Sequence, residues 1–399
     1  MIRFTTAGES HGKALVAILE GVPAGLALRV EDVDADLVRR MQGYGRGARM
    51  KIEKDGVEFL SGVRAGETLG SPIALLIANR DWENWTDIMD PRPDPAPAGA
   101  RRRRVVRPRP GHADLVGLVK YDRTDARDIL ERASARETAA RVACGAVCRR
   151  LLREFGVEIG SHVVALGPVR ATVPDPLPAS LNDAADASPT RCLDPDATQR
   201  MIEAIDEAKQ SGNTLGGIVE IVARGVVVGL GSHVSWDRKL DGRLAGALMS
   251  IHAAKGVEIG LGFEGARRPG SEVHDEIEWG GTAHTGGVRR RTNRAGGLEG
   301  GITTGEPLVV RVAKKPIATL MRPLDTVNVE THEAAKAQSE RSDVTAVPAI
   351  GVIAEAMVAI VLADAMSEKF GGDTLGDMAA NVQAYLERIV SRNVNGGLQ

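Results

Sequence analysis

Aromatic residues are scarce, with Phe, Trp and Tyr together making up 3% of 399 residues. Base-stacking platforms need such rings, so a binder of single-stranded nucleic acid is disfavoured. Net charge is nearly absent as well: 51 Lys and Arg face 53 Asp and Glu, leaving −2. A duplex-binding protein ordinarily carries a basic excess, and none exists overall. Three cysteines are too few, and odd in number, for a secreted disulfide scaffold. Cys144, Cys148 and Cys192 are read as small buried residues. The stretch MIRFTTAGESHGKA has no apolar h-region or cleavage pattern, so no signal peptide is expected. Zinc-ligand spacing and a Walker A motif are missing too, and GYGRG lacks the spacing of a dinucleotide fingerprint.

What is present is glycine, 46 residues of it, which allows many tight turns and close backbone approaches. Strand patterns are expected at Ala14 to Leu19, Val57 to Leu60, Ile73 to Ala78, Val157 to Leu166, Ile218 to Val228 and Pro307 to Ala313. Helical periodicity predicts helices at Glu31 to Met41, Ser134 to Phe155, Asp196 to Gln210 and Leu240 to Lys255, and a mostly helical chain from Val329 onward. The apolar run Ala346 to Met366 is long enough for a membrane span, but Glu355 and Asp364 interrupt it, which predicts a buried core helix instead. Asn79 to Arg109 is rich in Pro, Arg and Asp, with Arg101 to Arg104 in a row, and reads as a mobile surface loop. Pro174 to Pro195 and Gly280 to Gly305 also read as loops. This mixed order favours an α+β or layered α/β fold.

Several short segments carry chemistry. GESHG places His11 between glycines just before a strand, and imidazole titrates near neutral pH. RRMQGYGRGARM clusters Arg40, Arg46 and Arg49 around a Gly-rich turn, where planar guanidinium groups match carboxylate and phosphate oxygens. In RPRPGHAD, stiff turns hold His112 after Arg109, with Asp114 placed to orient the ring. In ERASARETAARVA, Ser134 and Glu137 have capping-box spacing, and Arg132 and Arg136 flank a helix start that would also suit an anion. NRAGGLEGGITTG and KKPIAT supply glycines, Lys315 and Thr319. QSERSDVTAVPA sets Arg341 two residues from Asp343. Together these residues describe an arginine-rich, glycine-lined anion pocket with two histidines and a carboxylate, and no metal site.

GESHG, GYGRGARM, RPRPGHAD, RASARET, KGVEIG, AGGLEGGI, KPIAT and RSD followed by VPA resemble, in this order, the signature set of the chorismate synthases. The resemblance spans about residues 2–371, which implies a catalytic domain over 1–371 and a C-terminal helical tail over 372–399. It implies an α+β fold with a β-α-β sandwich core, a single large domain with long mobile loops. The implied activity is conversion of 5-enolpyruvylshikimate 3-phosphate to chorismate and phosphate by 1,4-anti elimination, in the shikimate pathway of aromatic amino acid biosynthesis. Reduced FMN would be the cofactor, an external reductant would keep the flavin reduced, and a cytoplasmic homotetramer without nucleic-acid or membrane partners would be the assembly.

The resemblance also implies roles. Arg40, Arg46, Arg49, Arg109, Arg136 and Arg341 would surround the substrate's two carboxylates and phosphate. Family descriptions connect Arg40 and Arg46 with NADPH, although an anionic substrate in that place is the physically simpler assignment. His11 would be the acid at the departing phosphate. His112 would sit at the flavin N1–C2=O edge, and Asp343 would take a proton from flavin N5. FMN contacts would come from Arg132, Ala133, Ser134, His252, Ala253, Gly300, Lys315, Pro316, Ile317, Ala318, Thr319 and Arg341. The chain departs from the family pattern at His252, where an amide is usual, at Thr303 to Gly305, and in the Arg101 to Arg104 run.

Overall fold

The computed structural model describes residues 1–47, 54–92, 104–339 and 342–394. Two antiparallel sheets enclose a layer of helices. In the first, strands β1 (Arg3–Ala7), β2 (Ala14–Glu20), β3 (Val57–Ser61) and β4 (Ile73–Ala78) lie in the order β1-β2-β4-β3. Its register pairs Leu15 with Ile77, Ala17 with Leu75 and Leu19 with Ile73. All six are buried, so period-two alternation gives the sheet one apolar face.

The second sheet holds β5 (Glu158–Leu166), β6 (Val169–Arg170), β7 (Gly217–Arg224), β8 (Ala254–Ile259) and β9 (Leu308–Lys314), ordered β8-β9-β7-β5-β6. Along β9 the alternation buries Leu308, Val310, Val312 and then Lys314. A lysine therefore ends the inward-facing row. On the opposite face Glu220 joins His162 of β5 (3.1 Å) and Arg311 of β9 (2.7 Å) across the register, so His162 is a satisfied buried histidine.

Between the sheets lie α1 (Val30–Met41), α4 (Thr138–Arg153), α7 (Leu240–Met249) and α8 (Val347–Phe370). Helix α4 packs on the first sheet, α8 on the second, and the two pack on each other. A methyl placed on Gly145 would lie 2.3 Å from the Cβ of Ala356, so only glycine permits this approach. Helix α8 is apolar all round and buried within the fold, as expected of a core helix. Its one fully buried acid, Glu355, accepts from Arg39 (2.9 and 3.0 Å), Arg149, Arg191 (3.1 Å) and Ser161. Cys144, Cys148 and Cys192 are buried and unpaired. The two sheets and the helix layer form the α+β sandwich expected from the sequence.

Shorter helices α2 (Asp114–Tyr121), α3 (Arg127–Ala133), α5 (Leu181–Asp186) and α6 (Pro195–Gln210) flank this core. The last helix, α9 (Leu375–Val394), buries Met378 and Val382, and its Tyr385 hydroxyl donates to Val228 O.

Four local expectations need correction. The helix expected from Ser134 begins at Thr138. Ser134 caps only a 3₁₀ turn, accepting from Arg136 N, because Glu137 binds Thr6 and Arg141 instead of closing a capping box. The helix expected to reach Lys255 stops at Met249, since Ala253 takes a left-handed φ of +66° that turns the chain into β8. The Pro174 to Pro195 loop contains α5. Finally, the described flanks of the Asn79 to Arg109 loop are only partly solvated: Trp85, Val105, Pro108 and Arg109 are buried and Arg80–Asn84 is a 3₁₀ turn, while Arg80, Glu83, Thr86, Asp87 and Arg92 are exposed. Arg101 to Arg103 lie outside the described residues, while Arg104 pairs with Glu330.

Candidate active site

The loop between β1 and β2 carries His11, and its backbone is fastened to helix α3. Ser10 N donates to Glu131 O (2.9 Å) and His11 N to Glu131 Oε2 (2.9 Å). His11 Nδ1 lies 2.9 Å from both Glu131 oxygens, and the ring stacks on Trp85 at 3.8 Å between centroids. Arg127 donates to Glu131 Oε1 (2.9 Å) and lies over the Trp85 ring. Burial alone would raise the Glu131 carboxyl, but hydrogen bonds from His11 and Arg127 outweigh it and hold the group below the usual range.

From that loop a chain of polar contacts runs across the pocket. Asn79 donates to Glu9 O (3.1 Å) and Gly12 O (2.7 Å) and accepts from Arg136 Nε (2.9 Å). Arg136 Nη1 donates to Asp55 (2.5 Å), which also faces Arg40 Nη1 at 3.5 Å. Arg40 further donates to Thr138 Oγ1 and Ala135 O. Arg46 donates to Arg40 O (3.1 Å) and pairs through Nε with Asp343 at 2.9 Å, and Gly47 N donates to Asp343 Oδ1 (2.6 Å).

Burial pushes Arg40 down to about 10; Asp55 opposes that shift, and the like charges of Arg136 and Arg46 add to it. Lys314 is pushed down to about 8, mainly by burial, against the pull of Asp343. Four cations (Arg40, Arg46, Arg136, Lys314) thus lie along one chain of contacts with Asp55 and Asp343. Guanidinium and ammonium groups placed side by side suit carboxylate or phosphate oxygens. Arg49 and Arg341 lie outside the described residues.

A second group forms around His112. Its Nδ1 donates to Asp114 Oδ1 (2.6 Å), as the sequence suggested, and Arg109 grips the same carboxylate through Nε (2.8 Å) and Nη2 (3.1 Å). Burial would raise Asp114, but its bonds to His112 and Arg109 win and hold it far below the carboxylate range. Arg109 Nη1 reaches Thr319 Oγ1 (2.9 Å), Lys315 Nζ donates to Gly111 O, and Lys315 N donates to Ala253 O (2.9 Å). The KPIAT segment, residues 315–319, therefore meets the His112 turn, with Ile317 O held by Thr214 and Ala318 beside Gly111. Pro316 is exposed at its edge.

His252 Nδ1 lies 3.9 Å from Glu137 Oε2. Burial lowers its pKa, opposed by Glu137, and it feels the charges of Arg141, His112 and Arg132. Its Nδ1 is buried with no hydrogen-bond partner among the described residues. Arg132 is turned to Thr6 and Gly8 O, next to Ala133 and Ser134 at the end of α3. Gly300 lies apart, exposed at a hairpin turn near His233, and no hydrogen bond links it to the His112 group.

Sequence reasoning overlooked Glu131, Asp55, Asn79, Trp85 and Lys314. A signal existed for two of them. Leu308, Val310, Val312 and Lys314 form one alternating row, and a tryptophan inside a polar loop asks what buries it.

A buried arginine-rich pocket with two carboxylate-held histidines is a geometry that known proteins can be matched against. The chorismate synthase family model matches residues 2–367. This chain belongs to the chorismate synthase family. Chorismate synthase from Thermobifida fusca is 57% identical over 399 residues, covering 98% of this chain and all of that protein. Those of Streptomyces coelicolor (59%; 97% and 98% covered) and Geobacter sulfurreducens (55%; 98% and 99%) are similar at comparable length. A crystal structure of chorismate synthase superposes with a TM-score of 0.78 at 45% identity, covering 98% of each chain. The chain is an enzyme, a lyase of the shikimate pathway that forms chorismate.

Proposed function

We propose that the enzyme eliminates phosphate from 5-enolpyruvylshikimate 3-phosphate in the 1,4-anti sense, with reduced FMN as cofactor. The observation that carries this is the line of basic side chains Arg136, Arg40, Arg46 and Lys314, joined by contacts that start at the His11 loop. A substrate with two carboxylates and a phosphate needs such a lining, and guanidinium forks suit its oxygens. Arg40 and Arg46 are almost fully enclosed, which favours a small anion over NADPH as their partner.

His11 is assigned as the acid that protonates the departing phosphate oxygen. Asp343, gripped by Arg46 and the Gly47 amide, is assigned to hold a proton at its carboxylate during transfer of the ring hydrogen. The residues suit a flavin: Lys315, Thr319 and Ala253 are joined beside His112, and the orphaned Nδ1 of His252 can meet a polar ring edge. Arg132, Ala133, Ser134, Pro316, Ile317, Ala318, Arg341 and Gly300 complete the assigned set. When bound, reduced flavin supplies transient electron density without net redox change.

A cytoplasmic homotetramer served by an external flavin reductant belongs to the same reading. The test is an anaerobic assay with the enolpyruvyl phosphate and photoreduced FMN. Release of phosphate with formation of chorismate is expected; no phosphate release overturns the proposal.

A further inference from the structure

We propose that Glu131 is a positioning residue for the reaction: it fixes the tautomer and the orientation of His11, while Trp85 fixes the plane of the ring. The proposal rests on the reading of His11 as the phosphate-side acid.

Two residues hold the imidazole, and one of them also holds the backbone of His11. Both Glu131 oxygens lie 2.9 Å from Nδ1, so that nitrogen is committed as a donor and Nε2 is the one left for the substrate. The His11 backbone N–H binds the same carboxylate at 2.9 Å, so main chain and side chain are registered together. The stacked Trp85, at 3.8 Å and 20° between planes, removes rotation out of that plane.

Glu131 is itself immobilised. Its side chain is 2% exposed, Arg127 holds it at 2.9 Å, and Trp85 is tied through Nε1 to Asp81 (3.0 Å). A carboxylate on the far nitrogen holds one tautomer in the neutral ring and keeps the same geometry in the charged ring. An acid so held delivers the Nε2 proton along a fixed direction and can be reprotonated without turning.

Glu131→Gln tests this, because the amide can donate as well as accept and no longer dictates the tautomer. Its kcat is expected to fall at least ~10-fold, the lower end for loss of a partner that orients a functional histidine. KM should stay within about threefold. The double variant His11→Ala/Glu131→Gln should be no slower than His11→Ala, as for residues acting as one unit. A further loss in the double variant would make Glu131 merely structural and overturn the proposal.

A wild-type measurement stands beside these, in case the variant folds poorly. In ¹⁵N-histidine-labelled enzyme, at a pH where the ring is neutral, His11 should carry its proton on Nδ1; a proton on Nε2 overturns the proposal. If His11→Ala alone retains full activity, it is the acid assignment that fails, and the NMR result still judges the tautomer.

Discussion

Arg39 and Arg40 are neighbours on α1, yet they serve opposite electrostatic regions. Arg39 enters a closed cluster in which three arginines (39, 149, 191) meet three carboxylates (Asp36, Asp186, Glu355). Arg40 enters the pocket, where it lies with Arg46, Arg136 and Lys314 around Asp55 and Asp343. Burial is equally deep in both, and Arg191 is pushed down to about 10 much as Arg40 is. Depth therefore does not distinguish structure from function here; what each cluster joins does. The first ties α1, α4 and α8 to one another, while the second links the His11 loop to Asp343.

The largest effect is expected where balance is destroyed. Glu355→Ala would leave three buried arginines facing two carboxylates and should cost about 3–5 kcal/mol in urea unfolding. A loss below ~1 kcal/mol would show that the closed cluster is not the structural partner of the pair.

On the pocket side the signs should reverse, with activity lost and the fold kept. Asp343→Ala should lower turnover by ~10²-fold or more with an unchanged melting temperature. Arg46→Ala should mainly raise KM, by roughly 10- to 100-fold, the worth of a charged hydrogen bond. An unchanged KM would remove Arg46 from the substrate.

The smallest effect tests the burial of a cation on the pocket side. Between pH 8 and 10 the unfolded chain, whose lysine titrates near 10.5, binds more protons than the folded chain, whose Lys314 titrates near 8. Its contribution to stability should therefore rise with pH across that window. The difference in unfolding free energy between wild type and Lys314→Met should show this rise. Added phosphate should flatten it, because a bound anion keeps Lys314 charged.

Much of the architecture was legible because period-two and 3.6-residue patterns are local. The strands at 14–20 and 73–78 and the helix at 30–41 lie within a residue or so of expectation. The His112–Asp114 pair was legible for the same reason, its members standing two residues apart. Glu131 was not, because its partner His11 is 120 residues away and an acid in a helix ordinarily faces water. Asp55 is brought to Arg136 only by the meeting of the β3 approach with the α3–α4 turn. Helix ends failed where tertiary contacts drew off a cap, as Thr6 and Arg141 draw off Glu137.

The bare α-carbon of Gly145 against Ala356 has a consequence for composition. Helices that touch so closely make a thin interior, with no space between them for a six-membered ring. The two helices accordingly carry alanine, glycine, valine, cysteine, isoleucine, leucine and methionine as apolar side chains, and Phe370 enters only where α8 runs out. The poverty in aromatic side chains is thus, in part, a record of interlayer spacing.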